Sequence, residues 1–316
     1  MRLKIIRKLF CFFFLFLSCG KQKECPTPEF DPPQIDCLGC VSWGPTNWIA
    51  FHYSPKRVIK GEEVRIEDSV GIWLIKPNGK SLTYLGPPTT PDNVPFGWSP
   101  PSWSPDGEWI VTNDMYGRIW MRGVVKDTLF QVTEGKGRYL PQFSPDGKKI
   151  AFCRTGPDSG GVWILNLDTK IEKRIFIFGD MPFWHPSGES LVIYGYVEGY
   201  NNPWISIIDT TGSYQRLIYL PERGCHDLRI SNDGLKIIFS DGGWEPQIWS
   251  LKIDGTELKK LTTYGGRDGH FSPDGKKIVY VKFSLVRPCQ EGNGELYIMN
   301  SDGSQNKRLT YLVHDP

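Results

Sequence analysis

The sequence predicts an all-β chain of six four-stranded antiparallel units closed into a ring, and two observations predict it. The first is repetition. PQFSPDGKKIAF begins at Pro141, and GHFSPDGKKIVY, beginning at Gly269, says nearly the same 128 residues later. PSWSPDGEWIVT begins at Pro101, MPFWHPSGESLVIY at Met181 and LRISNDGLKIIF at Leu228, with a worn copy, VSWGPTNWIAF, at Val41. The apolar residue that closes the lead strand of each copy falls at Trp43, Trp103, Phe143, Trp184, Ile230 and Phe271, in steps of 60, 40, 41, 46 and 41 residues. A period of this size is the mark of a repeat architecture. The second observation is that no stretch after residue 20 holds an amphipathic helical pattern, while short apolar runs punctuated by turn residues are everywhere.

Each repeat opens with a hairpin whose turn is spelled out. In Ser144-Pro145-Asp146-Gly147 the Pro presets φ, the Asp bonds its own backbone and the Gly accepts a positive φ. The strand that follows, Lys149-Ile150-Ala151-Phe152, has almost no polar alternation, which fits a strand buried on both faces. A second hairpin comes next. Val162 to Leu167 leads into Asp168-Thr169-Lys170, and Glu295 to Asn300 leads through Ser301-Asp302-Gly303-Ser304 to Arg308-Leu309-Thr310. Ile248 to Leu251, Asp254-Gly255 and Lys260-Leu261-Thr262 repeat the arrangement. Four short strands per repeat are the blade of a β-propeller. Six copies share residues 40–316, about 46 residues each, close to the roughly 40–45 of a four-stranded blade. One blade cannot cover both its faces. Six packed radially cover one another, with the 12 Trp, 13 Tyr and 17 Phe as bulky filling.

The phrase SPDGKKIAF, followed by an outer strand ending Leu-Thr, resembles the TolB-type (WD-like) propeller repeat. That repeat also occurs in tricorn-type proteases and in propellers attached to prolyl peptidases. The resemblance runs from Val41 to Thr310 and implies the fold. It says little about activity, because unrelated sites are built on the same frame. The TolB protein itself carries an α/β domain ahead of its propeller, whereas here about 20 residues separate the leader from the first blade.

The leader is residues 1–18. Arg2, Lys4, Arg7 and Lys8 precede an apolar run from Leu9 to Leu17, far short of the roughly 20 residues that span a bilayer as a helix. Phe16-Leu17-Ser18-Cys19 resembles a bacterial lipoprotein cleavage box, which makes Cys19 the expected lipidation site. An ordinary cleaved secretory signal that happens to contain Cys is the alternative. Two or three acyl chains on Cys19 would give stable membrane attachment. Residues 19–39, with Pro26, Pro28, Pro32 and Pro33, then read as a stiff tether. The expected location is the bacterial cell envelope, outer membrane or periplasm-facing.

The formal net charge of +2 includes those four leader residues and becomes −2 once they are removed. No Lys/Arg stripe is left, which argues against nucleic acid as a partner. Cys37 and Cys40 form a CxxC that could be a structural disulfide, half a metal site or a redox pair. With Pro32 and Pro33 upstream and a strand downstream there is no helix to lower a thiol pKa, so the disulfide is expected. With His226, beside Cys225, and His270 the CxxC could instead bind zinc, a weak signal. The Ser and Asp of the SPDG turns recur for turn geometry and not for catalysis. G-x-S-x-G, H-E-x-x-H, Walker and Rossmann motifs are all missing. No cofactor is expected.

The two turn types stay short and belong to one face of the ring. Length variation falls on the other face, in Ser54 to Val70, in Gly86 to Pro100 with its five Pro, and in Gly195 to Asn202, Asp241 to Glu245 and Ser284 to Gly294. Variable loops on a rigid frame are where function sits. Tyr116, Tyr200, Trp204 and Trp244 are the candidate interaction residues there; the alternative for each is an inter-blade filler or a lone exposed ring. The expected function is therefore a non-enzymatic binding or scaffold lipoprotein of the envelope, engaging protein or glycan. The alternative is a carbohydrate-active or metal-dependent site at the channel mouth, since propeller lyases acting on acidic sugars resemble this repeat.

Overall fold

The computed structural model describes residues 39–310 except 54–55, 60–61, 66–70, 87–88, 98, 127, 157, 197–202, 223, 243–244 and 284–293. Six four-stranded antiparallel sheets account for nearly all of it. The first blade holds β1 (Gly39–Trp43) and β2 (Ile49–Tyr53), then a separate hairpin of β3 (Lys56–Ile59) and β4 (Glu62–Arg65), then β5 (Gly71–Ile75) and β6 (Thr83–Gly86). The second is β7 (Ser102–Trp103), β8 (Trp109–Asn113), β9 (Ile119–Gly123) and β10 (Leu129–Gln131). The third is β11 (Arg138–Phe143), β12 (Lys149–Arg154), β13 (Gly161–Asn166) and β14 (Glu172–Phe176). The fourth is β15 (Asp180–Trp184), β16 (Ser190–Tyr196), β17 (Pro203–Asp209) and β18 (Gln215–Tyr219). The fifth is β19 (Cys225–Ile230), β20 (Lys236–Asp241), β21 (Ile248–Lys252) and β22 (Lys259–Lys260). The sixth is β23 (Gly266–Phe271), β24 (Lys277–Phe283), β25 (Gly294–Asn300) and β26 (Lys307–Arg308). The expected six-bladed β-propeller is what the chain forms.

The repeated phrase is explained by its hydrogen bonds. Ser144 Oγ donates to Asp146 Oδ1 and accepts the Lys149 amide at 2.9 Å, while the Lys148 amide donates to Asp146 Oδ1 at 3.0 Å. Gly147 sits at φ 70°, which only Gly adopts without strain. Ser104/Asp106, Ser231/Asp233 and Ser272/Asp274 build the same lock. In the fourth blade His185 takes the place of Ser, its Nδ1 2.9 Å from Ser187 Oγ. The Thr that follows Val or Leu just past three outer strands has an equally local cause. The hydroxyls of Thr133, Thr262 and Thr310 accept the amides of Ile119, Ile248 and Leu296, at 2.9, 3.0 and 3.0 Å, where the third strand of the blade begins.

The core lies between blades. Six apolar clusters occupy the six junctions, each drawn from two adjacent blades. Ile150, Ala151, Phe152 and Cys153 on β12 are all buried, as the unbroken apolar run predicts. The ring closes where Val41, Trp43, Ile49, Phe51 and Ile75 of the first blade meet Val279, Val281, Leu296, Ile298 and Leu309 of the sixth. The two blades seal face to face, with β26 the outer strand of the sixth blade.

The inner strands β1, β7, β11, β15, β19 and β23 touch in succession around the axis, and β1 returns to β23. Every inner strand runs toward its short turn. Its start, the inter-blade link before it and the connection between second and third strands therefore share the opposite face.

Candidate functional site

That loop-bearing face has a rim of links and a centre where the inner strands begin. At the centre the inner strands carry a repeated irregularity. Cys40, Leu140, Met181, Asp227 and Asp268 all lie at φ between 49° and 56°, each three residues before the apolar residue that closes its strand. In each of these blades the pairing register shifts at that point, the signature of a β-bulge. A left-handed residue other than Gly is costly, least so for Asp and Asn. Here the bulge turns one side chain toward the neighbouring blade.

In the fifth and sixth blades the bulge residue is Asp, and the two form a chain of contacts across two junctions. The Asp268 amide donates to Asp227 Oδ2 at 3.3 Å, and the Cys40 amide donates to Asp268 Oδ2 at 3.0 Å. The two carboxyls also lie close enough for each to shift the other's protonation. Burial and then the Asp227 charge push Asp268 up to about 8, so it keeps its proton at neutral pH. Burial alone would raise Asp227 too. The hydrogen bond from Asp268 and the charges of His226, Arg229 and Arg267 hold it below the usual carboxylate range. One proton shared between two carboxyls is the stable state of such a pair.

The surroundings are cationic on one side. The buried Arg229 guanidinium lies 4.3 Å from the Phe183 ring centroid and donates from Nη1 to the Leu228 carbonyl. His270 donates from Nδ1 to the Phe271 carbonyl at 2.9 Å, with Nε2 3.4 Å from Ser42 Oγ. Burial and then Arg229 depress it to about 3, leaving it neutral. Burial and the Asp227 charge raise the Cys225 thiol well above its ordinary value, so it stays protonated.

The rim carries apolar side chains in the open. Tyr116 is 50% exposed in the β8–β9 connection, its ring 4.5 Å from Lys136 Nζ and 5.7 Å from the Arg118 guanidinium. Buried Asp114 fixes that connection by accepting the amides of Tyr116 and Arg118 and the Trp120 indole N–H, each at 3.0 Å. Arg118 in turn forks onto Asp92, at 2.8 and 3.1 Å. The links between blades add Ile177 and Phe178, Leu220, and Tyr264 at 69% exposure.

The sequence-predicted residues divide as follows. Tyr116 lies exposed on the rim. Trp204 does not: it is 4% exposed, packed in the cluster between the third and fourth blades, its ring edge-on to Phe176 at 6.4 Å. Its expected role as an exposed contact is thereby corrected. Asn201-Asn202-Pro203 puts it beside a loop, but β17 begins at Pro203 and carries the ring into the junction. Cys19, Cys37, Tyr200 and Trp244 lie outside the described residues, and so does the expected Cys37–Cys40 bridge. Cys40 is half-buried at the first-blade bulge, and its counterpart in the fifth blade is Asp227. Among the described residues no group of three His, Cys, Asp or Glu is placed to hold a metal ion.

The comparisons with known proteins agree with the architecture. The TolB β-propeller domain model matches residues 129–287. The Tol-Pal system protein TolB of Francisella tularensis subsp. mediasiatica is 30% identical over 219 residues, 65% of this chain. The chain spans about half the length of that relative, 49%. The crystal structure of TolB from Acinetobacter baumannii aligns with a TM-score of 0.59 at 22% identity, over 73% of this chain and 57% of that one. An oligogalacturonate lyase in complex with manganese aligns at 0.55 and 14% identity, over 82% and 75%. At such identities these two structures speak for the fold alone.

Proposed function

The chain belongs to the TolB β-propeller family, and from that premise we propose that it is a non-enzymatic binding module of the bacterial envelope, lipid-anchored through Cys19, that engages a protein partner with its loop-bearing face. The observation that carries the reading is the contrast between the two faces. Four SPDG-type turns on one face are locked by the same Ser–Asp network. The opposite face bears connections that differ from blade to blade; it exposes Met115, Tyr116, Ile177, Phe178, Leu220 and Tyr264, while the turn-bearing face exposes apolar side chains too, among them Ile171, Tyr214 and Leu235, so the contrast lies in the connections. Aromatic and aliphatic side chains gathered on a rigid rim, with Lys136 and Arg118 beside them, suit protein contact: interface cores are rich in aromatics and Arg. The curated relatives are named as parts of the Tol-Pal system, which supports an envelope setting and a protein partner over a glycan.

The anchor and the face are tested separately. Cys19→Ala is expected to move the protein from the membrane fraction to the soluble periplasm or to block its processing. Soluble wild-type protein cleaved after Ser18 would remove the anchor. Tyr264→Ala and Phe178→Ala are expected to leave folding intact and to weaken recovery of the partner at least tenfold, since truncating a central interface aromatic typically costs about 2 kcal/mol. Undiminished recovery would remove the face.

A further inference from the structure

We infer that Asp227 and Asp268 form a proton-shared latch that holds the ring closed where the sixth blade meets the fifth and the first, and that loss of the shared proton loosens this seam. The geometry sets this junction apart from the others. Asp268 is buried, and it stands in the middle of a relay in which each bulge residue bonds the amide of the next. Asp227 accepts from the Asp268 amide, and Asp268 accepts from the Cys40 amide. Among the described residues no strand crosses the seam between first and last blades, which is held by packing, by the Ser42–His270 contact and by this polar relay. The junction between second and third blades uses the same geometry with a group that does not titrate: the Leu140 amide donates to Ser99 Oγ at 3.0 Å. Nature's own control is thus present in the same ring.

With one proton on the pair, Asp268 donates to Asp227 and still accepts from Cys40. With none, two adjacent carboxylates repel in a buried setting, and the contact between them turns from bond to repulsion. The groups that face the pair are His226 and Arg229 on β19, Arg267 and His270 on β23, and Cys40 on β1. His270 is neutral across the range concerned, so it does not supply the switch. On the flanking strands, Asp241 of β20 is occupied by the Gln247 amide and the Trp249 indole, and Lys282 of β24 lies over the Tyr297 ring.

The test is amide hydrogen exchange of the full chain from pH 5 to pH 9, corrected for intrinsic rates and followed in peptides covering 39–43, 138–143 and 266–271. The expected result is that protection of the Cys40 and Asp268 amides falls with rising pH from pH 5 to about pH 8, by up to tenfold per pH unit while the folded state holds one proton more than the open state, and levels off above pH 8, while the Leu140 amide keeps its protection. In Asp268→Asn the amide side chain mimics the protonated acid, and the fall should vanish. In Asp227→Asn, Asp268 has no partner charge to repel it, and the transition should move to lower pH. Flat protection at Cys40 in the wild type would overturn the latch. So would a fall shared equally by Leu140, or a transition that neither variant moves.

Discussion

Trp204→Ala should destabilise the ring by about 4 kcal/mol without touching the binding face. A buried Trp withdraws roughly 150–250 Å² from water, and at about 25 cal/mol/Å² its truncation removes several kcal/mol; measured Trp or Phe to Ala changes in cores fall near 3–5 kcal/mol. The site has little room to collapse. Trp204 sits among Ile164, Ile175, Ile193 and Phe176, and a Cβ on Gly195 would come within 2.5 Å of its ring, so the backbone is already as close as it can be. For a chain of this size about 2 °C accompanies each kcal/mol, which makes the expected fall in Tm roughly 8 °C by calorimetry. Phe in its place refines the argument. The Trp204 indole N–H is buried with no partner among the described residues, whereas the Trp184 N–H donates to the Gln142 carbonyl at 3.1 Å. Trp204→Phe removes an unsatisfied donor and Trp184→Phe breaks a bond worth about 1 kcal/mol. The Trp184 variant should therefore be the less stable of the two by about that much. A Tm within 2 °C of wild type for Trp204→Ala would refute the filler assignment. Equal losses for the two Phe variants would refute the hydrogen-bond account.

Asp268 holds a proton in the folded state between about pH 4 and pH 8 that the unfolded chain releases, so its contribution to stability is full below pH 4 and is lost as pH rises through 8. Asp268→Asn should consequently gain on wild type by up to about 1.4 kcal/mol per pH unit between pH 5 and pH 8, and no further above it, read from denaturant midpoints; a constant difference would show that the carboxyl is ionised throughout. Ser144→Ala removes a hydroxyl that both donates to Asp146 and accepts the Lys149 amide, and should cost about 1–2 kcal/mol with partner binding unchanged. A loss of binding without a loss of stability would give that turn the functional role denied to it here.

The fold was legible because its cause is local. A turn such as Ser144 to Gly147 is locked by its own side chains, so the same four residues suffice in blade after blade, and the unbroken run of Ile150 to Cys153 reports burial on both faces directly. The β3–β4 hairpin was not legible: Lys56 to Arg65 is a charged stretch without the apolar run that marks a blade strand. Trp204 was misread for a related reason. Its chain neighbours describe a loop, and only the pairing of β17 with β16 and the packing of Phe176 put the ring inside. Asp227 and Asp268 lie in the sequence as two unremarkable acids 41 residues apart. Their common offset from Ile230 and Phe271 was a usable signal, and it gains meaning only with the bulge that aims each at the next blade. Tyr264 and Phe178 stood in links too short to attract notice, and their exposure depends on where successive blades leave a rim uncovered.

The proposal that the loop-bearing face binds a protein partner meets its most direct test in site-specific photo-crosslinking within intact cells. A photoreactive residue is placed singly at Tyr116, Phe178 or Tyr264 on the loop-bearing face, and at Val125 or Leu235, exposed on the turn-bearing face. The account predicts that the first three positions give one common protein adduct, identified by mass spectrometry, and that Val125 and Leu235 give none. Adducts from the turn-bearing positions in place of the loop-bearing ones, or no adduct from any of the three rim positions, would contradict it.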